Sequence, residues 1–187
     1  MMRVLPVLFL IGAGYPSLAL AQVEPGSATV QGVFRGSAPS GCRVSTPAAP
    51  VSENAQVTAL NPNSADIAIS QLVGVDGQPQ AATISLTLPA MCNQAHSLRL
   101  NSLQGGLASE GPALSTEAFR NRLPYTVTVG WGGSQYVYST TNDTLTVSMP
   151  DAVAGDVAVT IQIPSGGTPL VAGAYSDQLV LELGAAG

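Results

Sequence analysis

The chain has 187 residues, of which only 9% are charged; Lys+Arg 6 stand against Asp+Glu 11, for a formal net charge of -5. That balance excludes the basic footprint that nucleic acid or an anionic membrane surface requires. There is no lysine, while Gly is 20 and Pro 14, so the surface draws its polarity from Ser, Thr, Asn and Gln, as suits an extracellular β protein better than a cytosolic enzyme.

In chain order, Met1-Met2-Arg3 is a short basic start, Val4 to Ala13 an apolar run, and Ala19-Leu20-Ala21 a small-x-small cleavage site. Residues 1–21 therefore read as a secretory signal peptide, with an apolar run too short to span a bilayer. Residues 22–187 are expected to be exported and to make one domain.

Residues 22–41 form a distinct arm. Ala28, Val30, Gly32, Phe34, Gly36 and Ala38 fall on one face, and Thr29, Gln31, Arg35 and Ser37 on the other, with Val33 the exception. This is a period-two strand with one apolar, small-residue face. It is either the first strand of its own domain or an arm that inserts into a neighbour.

The globular part, residues 42–187, opens at Cys42 after the Pro39-Ser40-Gly41 turn. Arg43 to Leu60 is poor in pattern, although Gln56 to Leu60 has the makings of a short strand. Asp66 to Ser70 alternates, and Asp76-Gly77-Gln78-Pro79 turns the chain. Ala82 to Leu88 is the cleanest alternation, with Ile84, Leu86 and Leu88 inward. Ser97 to Leu103 alternates again. Leu107 to Arg122 is irregular, with Phe119 expected to anchor it. Tyr125 to Val129, Tyr136 to Tyr138, Thr144 to Met149 and Val157 to Ile163 are further strands. Trp131, between glycines and near Tyr136 and Tyr138, suits either an exposed aromatic patch or packing over a sheet edge. Many short strands separated by turn signals, with no helical period, predict an all-β sandwich.

At the C-terminal end, Gly173, Tyr175 and Asp177 shape a turn, and Leu179, Leu181 and Leu183 put one apolar face on a last strand. That strand has no obvious cover, and an unpaired apolar edge invites another chain.

Chemistry is sparse. Cys42 and Cys92 lie in the exported part, where a lone even pair is expected to form a disulfide; a reactive or metal-binding pair would need CxxC spacing or clustered His. His96, the only histidine, reads as a surface residue. The aspartates sit mostly in turns, as turn chemistry alone explains. No catalytic, metal or cofactor site is expected, and Asn142-Asp143-Thr144 is a glycosylation sequon by pattern only.

The mature chain resembles the spore coat protein U domain family, which includes the pilin-like subunits of archaic chaperone–usher pili. The residues that carry this are the arm leading to Ser40-Gly41-Cys42, and the strand Ile84-Ser85-Leu86-Thr87-Leu88 running up to Cys92. With them go Phe119-Arg120-Asn121 before Leu123-Pro124-Tyr125-Thr126-Val127, and Val159 to Pro164 before Gly173-Ala174-Tyr175-Ser176-Asp177. The chain departs from the family in residues 45–80 and in its Gly184-Ala185-Ala186-Gly187 close. The resemblance implies an immunoglobulin-like sandwich lacking one strand. A periplasmic chaperone first fills the gap; the outer-membrane usher then oversees its replacement by the arm of the next subunit. It implies a secreted cell-surface fibre serving adhesion or biofilm formation, with Ala28, Val30, Gly32, Phe34 and Gly36 as the donor strand. The alternative is a self-complemented secreted binding module or adhesin.

Overall fold

The computed structural model describes residues 35–111 and 116–185; the signal-peptide reading lies outside them. The chain divides into two units, Met1–Ser37 and Ala38–Gly187, and the second carries the fold. It is built of β-strands, as alternation and turn residues predict.

The larger sheet forms around β5 (Ala82–Cys92) and β12 (Val153–Ile163), which pair antiparallel over their full lengths. Their inward side chains alternate: Ala82, Ile84, Ala90 and Cys92 on β5, and Val157, Val159, Ile161 and Ile163 on β12, are all buried. On the far side of β12 lie β9 (Thr126–Trp131) and then β10 (Ser134–Ser139). Gly132 and Gly133 join these two with φ of 59° and 79°, a turn that needs glycine-like freedom at both central positions and matches the twist of the strands. The other edge of β5 is covered in two pieces, β1 (Cys42–Val44) and β2 (Ala48–Glu53), with a register shift inside β2. Sequence alone does not reveal β2, because Pro47 and Pro50 interrupt its pattern; proline is tolerable there because β2 is an edge strand.

The second sheet has the order β11 (Thr144–Met149), β6 (His96–Ser102), β14 (Leu179–Ala185). Leu98 and Leu100 of β6 are fully buried against the first sheet, so the two sheets share one core. A hairpin of β3 (Ala55–Asn61) and β4 (Ser64–Ile69) lays Val57, Ile67 and Ile69 against that core. Three short strands, β7 (Leu107–Ser109), β8 (Arg122–Leu123) and β13 (Tyr175–Ser176), make a small sheet at one end.

Two expectations are corrected. Phe119 is 46% exposed, and Leu123, at 0%, is the anchor of its segment; Thr116 caps the Phe119 backbone into a surface turn instead. His96 is 1% exposed rather than on the surface. It occupies an inward position of β6, and its polarity is satisfied there: Trp131 Nε1 donates to His96 Nε2 at 2.8 Å, and Nδ1 lies 3.0 Å from the Gln94 carbonyl. These contacts assign the neutral tautomer protonated on Nδ1. Trp131 and Tyr138 are buried as well, so the exposed aromatic patch is not formed.

Candidate strand-acceptor edge

The two long sides of the sandwich differ. On one, the chain crosses from β10, at the edge of the first sheet, to β11, at the edge of the second, through residues 140–143. On the other, β1 runs near β14, and among the described residues no strand pairs with the outer edge of β14.

The side chains at this seam are under-covered. Leu181 and Leu183 sit opposite Leu100 and Leu98 of β6. The β6 partners are fully buried, whereas Leu179, Leu181 and Leu183 are only half-buried. On β5, Ile84 is fully buried while Leu86 and Leu88, on the same face, are half-buried. Both layers therefore leave apolar side chains part-exposed, at a cost of roughly 25 cal/mol per Å2 left in water. An open cleft of about 620 Å3 lies at one end, lined by Cys42 to Thr46, Pro62, Asn63 and Leu183.

The chain reaches this cleft along a fixed path. Asn93 accepts from Gly41 N at 2.8 Å and donates from Nδ2 to the Pro39 carbonyl at 2.8 Å. Cys42 and Cys92, directly opposed in the β1–β5 ladder, form the disulfide. The first residues of the domain are thus tied to β5 beside the seam.

The corner that launches β14 is built by the predicted turn residues. Gly173 has φ 150°, and a Cβ there would lie 3.4 Å from Ser109 Oγ. Tyr175 donates its hydroxyl back to the Val171 carbonyl at 2.7 Å. Asp177 accepts from Ser102 Oγ (2.5 Å), Tyr125 Oη (2.7 Å), Gln104 N (3.0 Å) and its own neighbour Gln178 N (2.8 Å). One carboxylate thereby fixes the end of β6, the start of β9 and the start of β14. Burial, reinforced by the hydrogen bond to Asp177, pushes the Tyr125 phenol far above its usual value.

Of the sequence-predicted site residues, Cys42 and Cys92 are joined, Gly173, Tyr175 and Asp177 build one corner, and Leu179, Leu181 and Leu183 share the seam face. Ala28, Val30, Gly32 and Phe34 lie outside the described residues. Gly36 is exposed and in no strand. Sequence alone does not single out Asn93, Ser102 or Tyr125, because their roles depend on partners 52 to 75 residues away. Among the described residues no group of His, Cys, Asp and Glu is placed to hold a metal ion. Comparison with protein-family models, with curated proteins and with solved structures finds no match.

Proposed function

We propose that this protein is a structural subunit of a secreted surface fibre of the archaic chaperone–usher kind, which polymerises when the arm of one subunit fills the seam beside β14 of another. The observation that carries the reading is the outer edge of β14, which no strand pairs among the described residues and which half-buried leucines flank. An edge strand offers a row of free N–H and C=O groups, and an added strand gains main-chain hydrogen bonds while its alternate side chains enter the apolar seam.

The topology supports an immunoglobulin-like assignment. The order β1/β2, β5, β12, β9 follows strands A, B, E, D of that fold, and β6 with β14 follows C and F. Strand G of the complete fold would lie on the outer edge of β14. Tyr175, just ahead of β14 and bonded back to Val171, plays the part of the tyrosine corner that precedes strand F. In this reading a periplasmic chaperone holds the seam before assembly, an outer-membrane usher directs the exchange, and the fibre serves adhesion or biofilm formation.

Negative-stain electron microscopy and size exclusion of the secreted protein test it. Fibres, or a denaturant-resistant ladder of oligomers, are expected. A protein that stays monomeric without any chaperone would instead be the self-complemented binding module.

A further inference from the structure

The sheet edges are not equally protected. β1 and β2 carry Arg43, Pro50 and Glu53, and a register shift. β14 is the edge assigned above to the incoming arm, and its exposed Glu182 pairs with Arg99 at 3.8 Å. β11 is flanked by Asp143 and by Pro150-Asp151, so two antiparallel copies of it would bring acids together. Charge, proline and irregularity are the usual guards against edge-to-edge pairing. β10 has none of them: no charged residue occurs from Gly130 to Asn142, and its register with β9 is unbroken over Ser134–Ser139.

The two-residue turn fixes which groups of β10 are free. Ser134 and Trp131 flank the turn and are opposed, so they form a hydrogen-bonded pair, as do Tyr136 with Val129 and Tyr138 with Val127. Gln135, Val137 and Ser139 consequently direct their N–H and C=O groups away from β9. The Ser139 carbonyl is occupied by Asn142 N at 2.9 Å; the Val137 pair of groups, the Gln135 groups and Ser139 N–H have no partner among the described residues. Val137 stands in the middle with its side chain 66% exposed.

This edge is complementary to itself. We propose that β10 is a lateral contact at which two copies of this chain pair antiparallel about a two-fold axis through Val137. Val137 then faces Val137 of the partner copy and exchanges two hydrogen bonds with it. Ser139 N–H donates to the Gln135 carbonyl across the axis, twice over by symmetry, and the valine side chains meet on one face. The absence of charge matters in a chain of net charge -5, because it lets like-charged copies approach here with least repulsion. A single six-residue edge buries much less than a stable interface needs, so the contact is weak between free subunits and gains strength wherever many copies are held in a row. It does not depend on the arm or on the seam beside β14, which lies on the other long side of the sandwich.

Cysteine cross-linking of the secreted protein tests the register, with the Cys42–Cys92 disulfide left intact. Under mild oxidation Val137→Cys is expected to cross-link to itself. Gln135→Cys alone is expected to cross-link about tenfold more slowly, since it and its symmetry mate lie roughly 13 Å apart along the strands. Mixed with Ser139→Cys, it should cross-link readily. Circular dichroism of each variant confirms folding. Equal rates for the two single variants, or rates no higher than that of a Ser148→Cys control on exposed β11, overturn the proposal.

Discussion

Tyr125 Oη donates to Asp177 Oδ2 across 2.7 Å, joining the start of β9 to the corner that launches β14. The two residues are 52 positions apart, and the bond ties the last strand of one sheet to a central strand of the other. Since Asp177 accepts three further hydrogen bonds, it is the chief fastening of that corner. Asp177→Ala removes a carboxylate and strands the hydroxyls of Ser102 and Tyr125. Each charge-assisted bond contributes about 1.5–3 kcal/mol at most, and the losses overlap. The variant is expected to lose about 3 kcal/mol in a urea titration; unchanged stability would remove Asp177 from this role.

The Tyr125 phenol gives stability a defined response to alkali. Its folded value lies above its unfolded one, chiefly through burial and then through the Asp177 bond. Tyr175 is raised too, by burial. A group of this kind holds its proton more tightly when folded. Its contribution is therefore complete below pH about 10, where unfolded tyrosine is neutral, and is lost as pH rises further. Thermal melts at pH 8 and pH 11 should show a marked drop at the higher value, smaller in Tyr125→Phe. An identical drop in that variant would place the alkaline sensitivity elsewhere.

The disulfide closes a loop with a sequence separation of 50, which in the chain-entropy view contributes roughly 4 kcal/mol. Cys42→Ser, paired with Cys92→Ser so that no lone thiol remains, is expected to lose several kcal/mol and much of its secreted yield. Mass spectrometry of the wild-type protein should find no free thiol; a free Cys92 would contradict the pairing.

The fold class is legible in the sequence because alternation is strongest where burial is two-layered. Ile84 on β5 and Val157 to Ile163 on β12 stand on the faces their alternation assigns. The turn glycines and Asp177 are legible for a local reason, since a turn's chemistry lies in its own residues. Anything set by distant partners is not. His96 reads as a surface residue because the indole N–H that satisfies it comes from Trp131, on another sheet. Phe119 reads as an anchor by composition alone. The half-exposure of Leu86 and Leu88 is a property of what lies beside them, and no alternation pattern reports that.

The two halves of the proposed exchange are separable by mutation. Phe34→Arg places a charge on the apolar face of the arm, and burying it unpaired is prohibitive. That variant is expected not to add itself to a growing fibre, yet to accept a wild-type arm in its own seam. Leu181→Arg should do the reverse, donating but not accepting. Thr29→Arg, on the opposite face of the arm, should assemble normally. Assembly scored as ladders resistant to mild denaturant distinguishes these variants from the wild type; a Phe34→Arg variant that polymerises like wild type would detach the arm from assembly.

The measurement that bears most directly on strand exchange is isotope-resolved photo-cross-linking. A photoreactive phenylalanine analogue at Phe34 is introduced into a mixture of 14N- and 15N-labelled protein that has assembled together, and the cross-linked peptides are weighed. Cross-links are expected to join the arm to peptides containing Leu86 and Leu88, or Leu179 to Leu183, with mixed labels showing that donor and acceptor are different chains. If cross-links to these peptides carry only matched labels, the arm fills its own seam; if they fall elsewhere, the edge of β14 is not the acceptor.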